Sequence, residues 1–266
     1  MGEKVFDNPK PVKLVSRVIE HGSDQNSIVL DFFAGSGTTG HTVMAQNAAD
    51  GGNRRYILVQ LPEPLDPENK DQKTSADFCD QLSKPRTIAE LTKERLRRAS
   101  AKIKAENPLF AGDLGFRVFK LDSSNIRAWE PDRDNLAQSL FDATEHLKAD
   151  RSENDVLFEL LLKLGLDLTV SIETRSGEQL DSRLRGNDGL TVHSIGAGVL
   201  LVCLADKIAS ADVEALALGI AAWHKEQSPA GDAQVVFRDS AFENDVAKTN
   251  CTAILSQHGL SNVRSL

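Results

Sequence analysis

Cysteine is scarce. Cys79, Cys203 and Cys251 are the three in 266 residues. Their odd number, wide spacing and lack of any Cys-x-x-Cys pair argue against a disulfide framework and against a zinc site. They are expected to be small, buried or half-buried residues in a reducing, cytoplasmic setting. The six histidines show neither metal-ligand spacing nor a nucleophile partner. A run of ~18 apolar residues is also missing, so no membrane-spanning helix and no membrane partner are expected. MGEKVFDNPKPVK has no apolar stretch after its charges and does not read as a secretory signal. Positive charge is in deficit, with 31 Lys and Arg against 39 Asp and Glu and a formal net charge of −8. Affinity for DNA comes mainly from basic side chains that displace counterions from phosphates. A chain this acidic is not a self-sufficient DNA binder unless its basic residues cluster.

What is present is ordinary globular material, 40% hydrophobic and 26% charged, long enough for one large domain or two modest ones. Residues 11–21 read as a short helix with Leu14, Val15, Val18 and Ile19 on one stripe, Pro11 at the start and Gly22 at the end. SIVLDFF reads as a buried strand, GSGTTG as a turn, TTGHTVMAQNAA as a helix and RRYILVQ as a second buried strand. Together they have the length of a βαβ crossover. Residues 62–85 read as a long polar surface loop. Residues 86–106 form a strong helix with Ile88, Leu91, Ala99 and Ile103 on one side and a basic remainder.

The character changes after Asn107-Pro108. GFRVFKLD, LDLTVSIE, LTVHSIGAGVLLVCL and AQVVFRD read as strands, and 153–164, 210–227 and 242–258 as helices. The expected organisation is two domains, 1–107 and 108–266, the second an α+β domain. RSGEQLDSRLRGNDGL, 175–190, reads as a hairpin loop. LDSRLRGNDG resembles the translation product of dispersed bacterial repeat elements and reads as a tolerated insertion at a loop tip. Contact of Arg183 and Arg185 with nucleic acid is the less favoured reading.

Gly35-Ser36-Gly37-Thr38-Thr39-Gly40 fits G-x-G-x-x-G. Glycines here let the backbone turn sharply and approach a ligand, next to the free N–H groups of a helix start. A turn without ligand would use the same residues. A Walker loop fails, because no Lys follows the glycines. A dinucleotide site asks for an acid near the end of the second strand, which ends at Gln60 with Glu63 beyond it. S-adenosylmethionine (SAM) is the third candidate. Asp31 at the end of the first strand could face its cationic end, whereas a carboxylate four residues before a pyrophosphate would repel it.

DFFAGSGTTGHTV followed by GGNRRYILVQLPEP resembles the SAM-binding segment of amino-DNA methyltransferases, most closely the modification subunit of type III restriction–modification systems. Phe33-Ala34-Gly35-Ser36-Gly37 matches the family's FxGxG core. VFDNPKPVKLVSRVI resembles the segment that closes over the methionine end. TIAELTKERLRRASAKIK, DLGFRVFKLDSSN, NDVLFELLLKLGLDLTVSIE and FRDSAFENDVAKTN continue the likeness, with 175–190 as the main departure.

The resemblance implies a partial Rossmann-like α/β methyltransferase domain followed by a smaller α+β domain. It implies transfer of methyl from SAM to the exocyclic amine of adenine in DNA. The cofactor residues it implies are Asn8, Lys10, Asp31, Phe32, Phe33, Ala34, Gly35, Ser36, Gly37, Thr38 and, for the ribose, Gln60 or Glu63. The family's catalytic Asp/Asn-Pro-Pro-Tyr/Phe segment is nowhere in this sequence: Asn8-Pro9-Lys10 and Leu65-Asp66-Pro67-Glu68 are the nearest approaches. The chain therefore reads as the C-terminal portion of a longer enzyme, inactive by itself. A homodimer, a restriction subunit and double-stranded DNA in the complete enzyme are the implied partners. The alternative is an assembly module for dimerisation or for the restriction subunit. A sheet of two or three strands is expected to leave an uncovered apolar face.

For single residues, structural roles compete with these. Asp31, Ser36 and Thr38 could serve as caps, and Asn8 and Lys10 could lie on a solvated loop. The basic face of 93–104 reads as solvated, His41 as a surface residue, and Trp129 and Trp223 as packing groups.

Overall fold

In the computed structural model the described residues are 5, 6, 8–127, 133–135, 147–187 and 189–266, so Trp129 lies outside them. They form a mixed α/β structure of two compact units, 1–118 and 119–266.

The first unit runs α1 (Val12–Gly22), β1 (Ile28–Asp31), α2 (Thr38–Asp50), β2 (Arg55–Leu58), α3 (Lys73–Gln81) and α4 (Ile88–Glu106). β1 and β2 pair in parallel with Leu30 opposite Ile57 and Asp31 opposite Leu58, and α2 is the crossover between them. The helix stops where the sequence puts Gly51, which takes a left-handed φ of 72° and donates its N–H to the Asn47 carbonyl. Asn47 then holds the entry to β2: its Nδ2 donates to the Arg54 carbonyl at 2.8 Å and its Oδ1 accepts from the Arg54 N–H at 3.1 Å.

One face of this small sheet is covered. Met44, Leu96, Ala99 and Ile103 pack with Tyr56 and Leu58, so α2 and α4 share a core over it. The opposite face is open: Ile28, Leu30, Ile57 and Val59 are 48–58% exposed. The strands were expected to be buried, and their apolar runs support that only with layers on both faces. With two strands and one helical layer, alternate side chains stay in solvent.

Two local readings are corrected. The loop 62–85 contains α3, where Ser75, Ala76 and Cys79 are buried and Val5, Leu65 and Leu91 complete a cluster with Ala76 and Cys79. Its polar composition hid a one-sided apolar pattern. GFRVFKLD forms no strand; Leu114 and Phe116 instead pack on the core formed by α2 and α4, while Val118 and Leu121 are exposed.

The second unit contains α5 (Glu153–Lys163), β3 (Ile172–Ser176), β4 (Thr191–Ile195), β5 (Leu200–Cys203), α6 (Val213–Gln227), β6 (Gln234–Phe237), α7 (Asp245–Gln257) and β7 (Asn262–Ser265). The sheet order is β3-β4-β5-β6-β7. The first three strands are antiparallel neighbours, and β5-β6 and β6-β7 are parallel, joined through α6 and α7. Side chains alternate between two cores. Val192, Leu201, Cys203, Val235 and Phe237 join α6 and α7, whereas Ile195, Leu200, Val202 and Val236 join α5. Strands buried on both faces read as unbroken apolar runs.

LDLTVSIE contributes only its end to β3, and LTVHSIGAGVLLVCL is two strands rather than one. Gly196, Ala197 and Gly198 all have positive φ, which turns the chain back on itself. β7 was missed, since Asn262–Ser265 is a short polar edge strand. The loop at 175–190 is more than a surface appendage. Leu184 and Leu190 are at most 1% exposed in the α6–α7 core, and the loop's backbone lies against Gly219, where an added Cβ would come within 2.9 Å of the Leu180 carbonyl oxygen. Arg183 pairs with Asp181 and Glu214, and Arg185 with Glu178, which leaves the nucleic-acid reading of these arginines without support. The three cysteines are free and buried. Burial pushes the Cys203 and Cys251 thiols up to about 12. Trp223 is a core residue with the Arg175 guanidinium over its ring.

Candidate functional site

β1 ends at Asp31, Gln60 follows the end of β2 by two residues, and both side chains reach the turn that starts α2. Gly35 and Gly37 take φ of +51° and +74°, conformations that an L side chain adopts at a cost of roughly 1–2 kcal/mol. The turn closes with the Gly37 N–H donating to the Ala34 carbonyl at 2.8 Å. The Ala34 N–H donates to the Val59 carbonyl and thereby ties the turn to the end of β2. Gly40 has a different role. A Cβ there would meet Leu96, Leu58 and Tyr56 at 2.8–3.1 Å, so its missing side chain lets α2 approach α4 and the sheet.

Asp31 uses both carboxylate oxygens locally. Oδ2 accepts from Thr39 Oγ1 at 2.6 Å and Oδ1 from the Phe33 N–H at 3.2 Å. It therefore braces the turn, and its negative charge stays at the mouth of the glycine loop. Gln60 Oε1 accepts the Gly35 N–H at 2.7 Å, whereas Glu63 is exposed and engages the start of α4 through its backbone carbonyl, which accepts from Ile88 N–H. Of the two ribose candidates, Gln60 is the one that reaches the turn.

Ser36 and Thr38 are buried and neither caps α2 through its side chain, as the left-handed Gly37 occupies the cap position. Their hydroxyls lie 3.2 Å apart, and Thr38 Oγ1 donates to the Lys10 carbonyl at 3.2 Å. This brings the segment before α1 to the turn through the Lys10 backbone; the Lys10 side chain and Asn8, with φ of +49°, are on the exposed side. Phe32 and Phe33 are 63% and 82% exposed with ring centroids 5.1 Å apart, a solvent-facing aromatic pair beside the glycines. Ala34 is buried.

Sequence reasoning missed two contributors, both on α4. Thr92 Oγ1 donates to the Gly35 carbonyl, and Arg95 Nη1 donates to Ser36 Oγ at 2.7 Å. They lie three residues apart on one side of the helix, next to the buried Leu91 and Leu96. The signal was a hydroxyl and a cation beside the apolar stripe of a helix whose Arg97, Arg98, Lys102 and Lys104 are exposed. Burial lowers the pKa of Arg95 below the usual guanidinium value. His41 is half-buried rather than a surface residue. Burial first, then the charges of Arg95 and Lys102, lowers its pKa below 6.5, and Glu106 opposes them.

Among the described residues no cluster of His, Cys, Asp or Glu is arranged to hold a metal, and no helix is long and apolar enough to cross a membrane.

Residues 1–61, which carry this turn, match the family model for DNA methylases. The StyLTI modification subunit of a type III restriction–modification enzyme from Salmonella typhimurium is 42% identical over 119 residues, 45% of this chain and 17% of that protein. The EcoP15I modification subunit of Escherichia coli is 41% identical over 116 residues, 44% of this chain and 15% of its own length. The type II methyltransferase M.KpnI of Klebsiella pneumoniae is 42% identical over 64 residues, 24% of this chain. The chain thus spans 15–17% of the length of these relatives. Under half of it is matched, less than the chain-long likeness expected from its separate segments. The glycine turn described above lies in the segment that matches the DNA-methylase family model, in a chain similar to the modification subunits of type III restriction–modification enzymes.

Proposed function

We propose that this chain is the SAM-binding portion of a site-specific DNA adenine methyltransferase of a type III restriction–modification system, with a partial Rossmann-like fold in its first unit. The observation that carries the reading is the β1–turn–α2–β2 unit, with two left-handed glycines, Asp31 and Gln60 meeting at one turn, inside the segment that matches DNA methylases.

The donor set suits this cofactor better than a dinucleotide. Asp31 places a carboxylate, which favours a sulfonium and an ammonium over a pyrophosphate. The exposed Phe32–Phe33 pair offers apolar surface for an adenosine, and Gln60, already at the turn, offers an amide for the ribose. Bound SAM supplies an activated methyl group. This chain's residues hold and orient the cofactor: the left-handed glycines let the backbone approach it closely, and the Lys10–Thr38 contact secures the preceding segment. No Asp/Asn-Pro-Pro-Tyr/Phe segment occurs in the sequence, so methyl transfer needs that element from elsewhere, and the chain alone is inactive in this reading. DNA and a restriction subunit are then partners of the complete enzyme, with DNA binding by this chain weak at best given its net charge of −8.

A second reading, an assembly module for dimerisation or the restriction subunit, draws on the second unit. It builds two cores of its own from residues remote in sequence from the turn.

The test is calorimetric titration of the folded chain with SAM, with NADH as control. SAM binding alone supports the cofactor reading. Binding of neither ligand favours the assembly module, and NADH binding without SAM binding overturns the methyltransferase assignment.

A further inference from the structure

We propose that Arg95 is a positioning residue of the cofactor turn, acting through Ser36 to fix the residue between the two left-handed glycines. The proposal rests on the SAM reading and names the group that holds its site in shape.

The argument begins with proton direction. A guanidinium only donates, so Ser36 Oγ accepts from Arg95 Nη1 at 2.7 Å. A backbone carbonyl only accepts, so Thr38 Oγ1 gives its proton to the Lys10 oxygen at 3.2 Å. The contact between the two hydroxyls, 3.2 Å, then has one consistent direction, Ser36 donating to Thr38. Both ends of the relay are fixed by groups that cannot reverse. It runs from α4 through the turn and the first residue of α2 to the segment preceding α1, and hydrogen bonds in such a chain polarise one another.

Ser36 and Thr38 are 7% and 4% exposed, so water competes little for these hydroxyls. One turn earlier on the same helix, Thr92 Oγ1 holds the Gly35 carbonyl. Thus α4 grips two successive residues of the loop. Among the described residues Arg95 has no carboxylate partner, unlike its helix neighbours Arg97 and Arg98, which pair with Glu94. A half-buried cation without a counter-charge is costly, and among the described residues the hydrogen bond Arg95 makes is to the glycine turn. Its lowered pKa reflects the same desolvation.

The experiment is SAM titration of the full chain and of four variants: R95M, R95K, S36A and the double variant R95M/S36A. R98M, an exposed arginine paired with Glu94, is the control. R95M is expected to weaken SAM about tenfold or more, the size of a lost hydrogen bond to a charged group. R95K is expected to restore most of it. R95M/S36A is expected to lose no more than R95M alone, because both substitutions break one relay. R98M should stay within about twofold of the unsubstituted chain.

SAM affinity of R95M equal to that of the unsubstituted chain, or additive losses in the double variant, overturns the proposal and leaves the cofactor reading intact. Failure of the unsubstituted chain to bind SAM overturns both. Circular dichroism checks folding. If R95M is unfolded, S36A carries the test, because it keeps the guanidinium and removes its acceptor. S36A binding SAM at full affinity then overturns the proposal.

Discussion

His41, the fourth residue of α2, has its Nδ1 shielded from solvent without a hydrogen-bond partner among the described residues. Desolvation favours the neutral ring, and Arg95 and Lys102 from α4 reinforce it against Glu106. The linkage sign follows from the lowered pKa. Below about pH 6.5 the unfolded chain binds a proton that the folded ring resists, so stability is lost as pH falls through that value towards the folded pKa. The melting temperature of the unsubstituted chain is therefore expected to drop between about pH 7 and pH 5.5 more steeply than that of His41→Gln. Equal slopes for the two proteins would mean that the imidazole titrates as freely folded as unfolded. At this scale the sequence was informative about what sits at the turn and poor about what supports it. Gly35, Gly37, Asp31 and Gln60 follow one another along the chain in a pattern with a mechanism. Thr92 and Arg95 lie 57 and 59 residues from Gly35 and Ser36, the groups they bind, and no local period connects them.

At the scale of elements, the decisive contact is between α2, α4 and β2, and it passes through Gly40. An added methyl there meets Leu96, Leu58 and Tyr56 at once, leaving no single side chain whose movement would relieve it. Overpacking of this kind costs roughly 1–3 kcal/mol. Gly40→Ala is expected to lower the unfolding free energy of the first unit by about that amount, read as a lower midpoint in urea titration. An unchanged midpoint would show that α2 does not need so close an approach. Elements were legible where a pattern was local. The apolar spacing of Val156, Leu157, Leu160, Leu161 and Leu164 announced α5, and the Asp50-Gly51-Gly52 stop announced the end of α2. They were illegible where tertiary packing chose the outcome. α3 reads as polar loop because three small or half-polar residues, Ser75, Ala76 and Cys79, make its buried side. GFRVFKLD has strand composition yet finds no neighbouring strand to pair with, and Phe116 is taken up by the core under α4 instead.

For the whole molecule, the largest asymmetry is that the five-stranded sheet of the second unit has helices on both faces, whereas the two-stranded sheet of the first has them on one. Ile28, Leu30, Ile57 and Val59 therefore form a neighbouring group of exposed apolar side chains, continued by Phe32 and Leu61. Exposed apolar groups of this kind mark interaction surfaces or aggregation liabilities. In the proposed function the surface is one that a complete methyltransferase sheet would cover. The strand register puts Leu30 directly opposite Ile57, so charging both places opposite signs side by side on the open face, away from the core under α2 and α4. Leu30→Lys with Ile57→Glu is expected to suppress binding of a hydrophobic dye such as ANS and any self-association in sedimentation, with little change in the thermal transition. A transition lowered by several degrees would instead mean that these side chains are packed in the folded chain, and that the face is closed in solution.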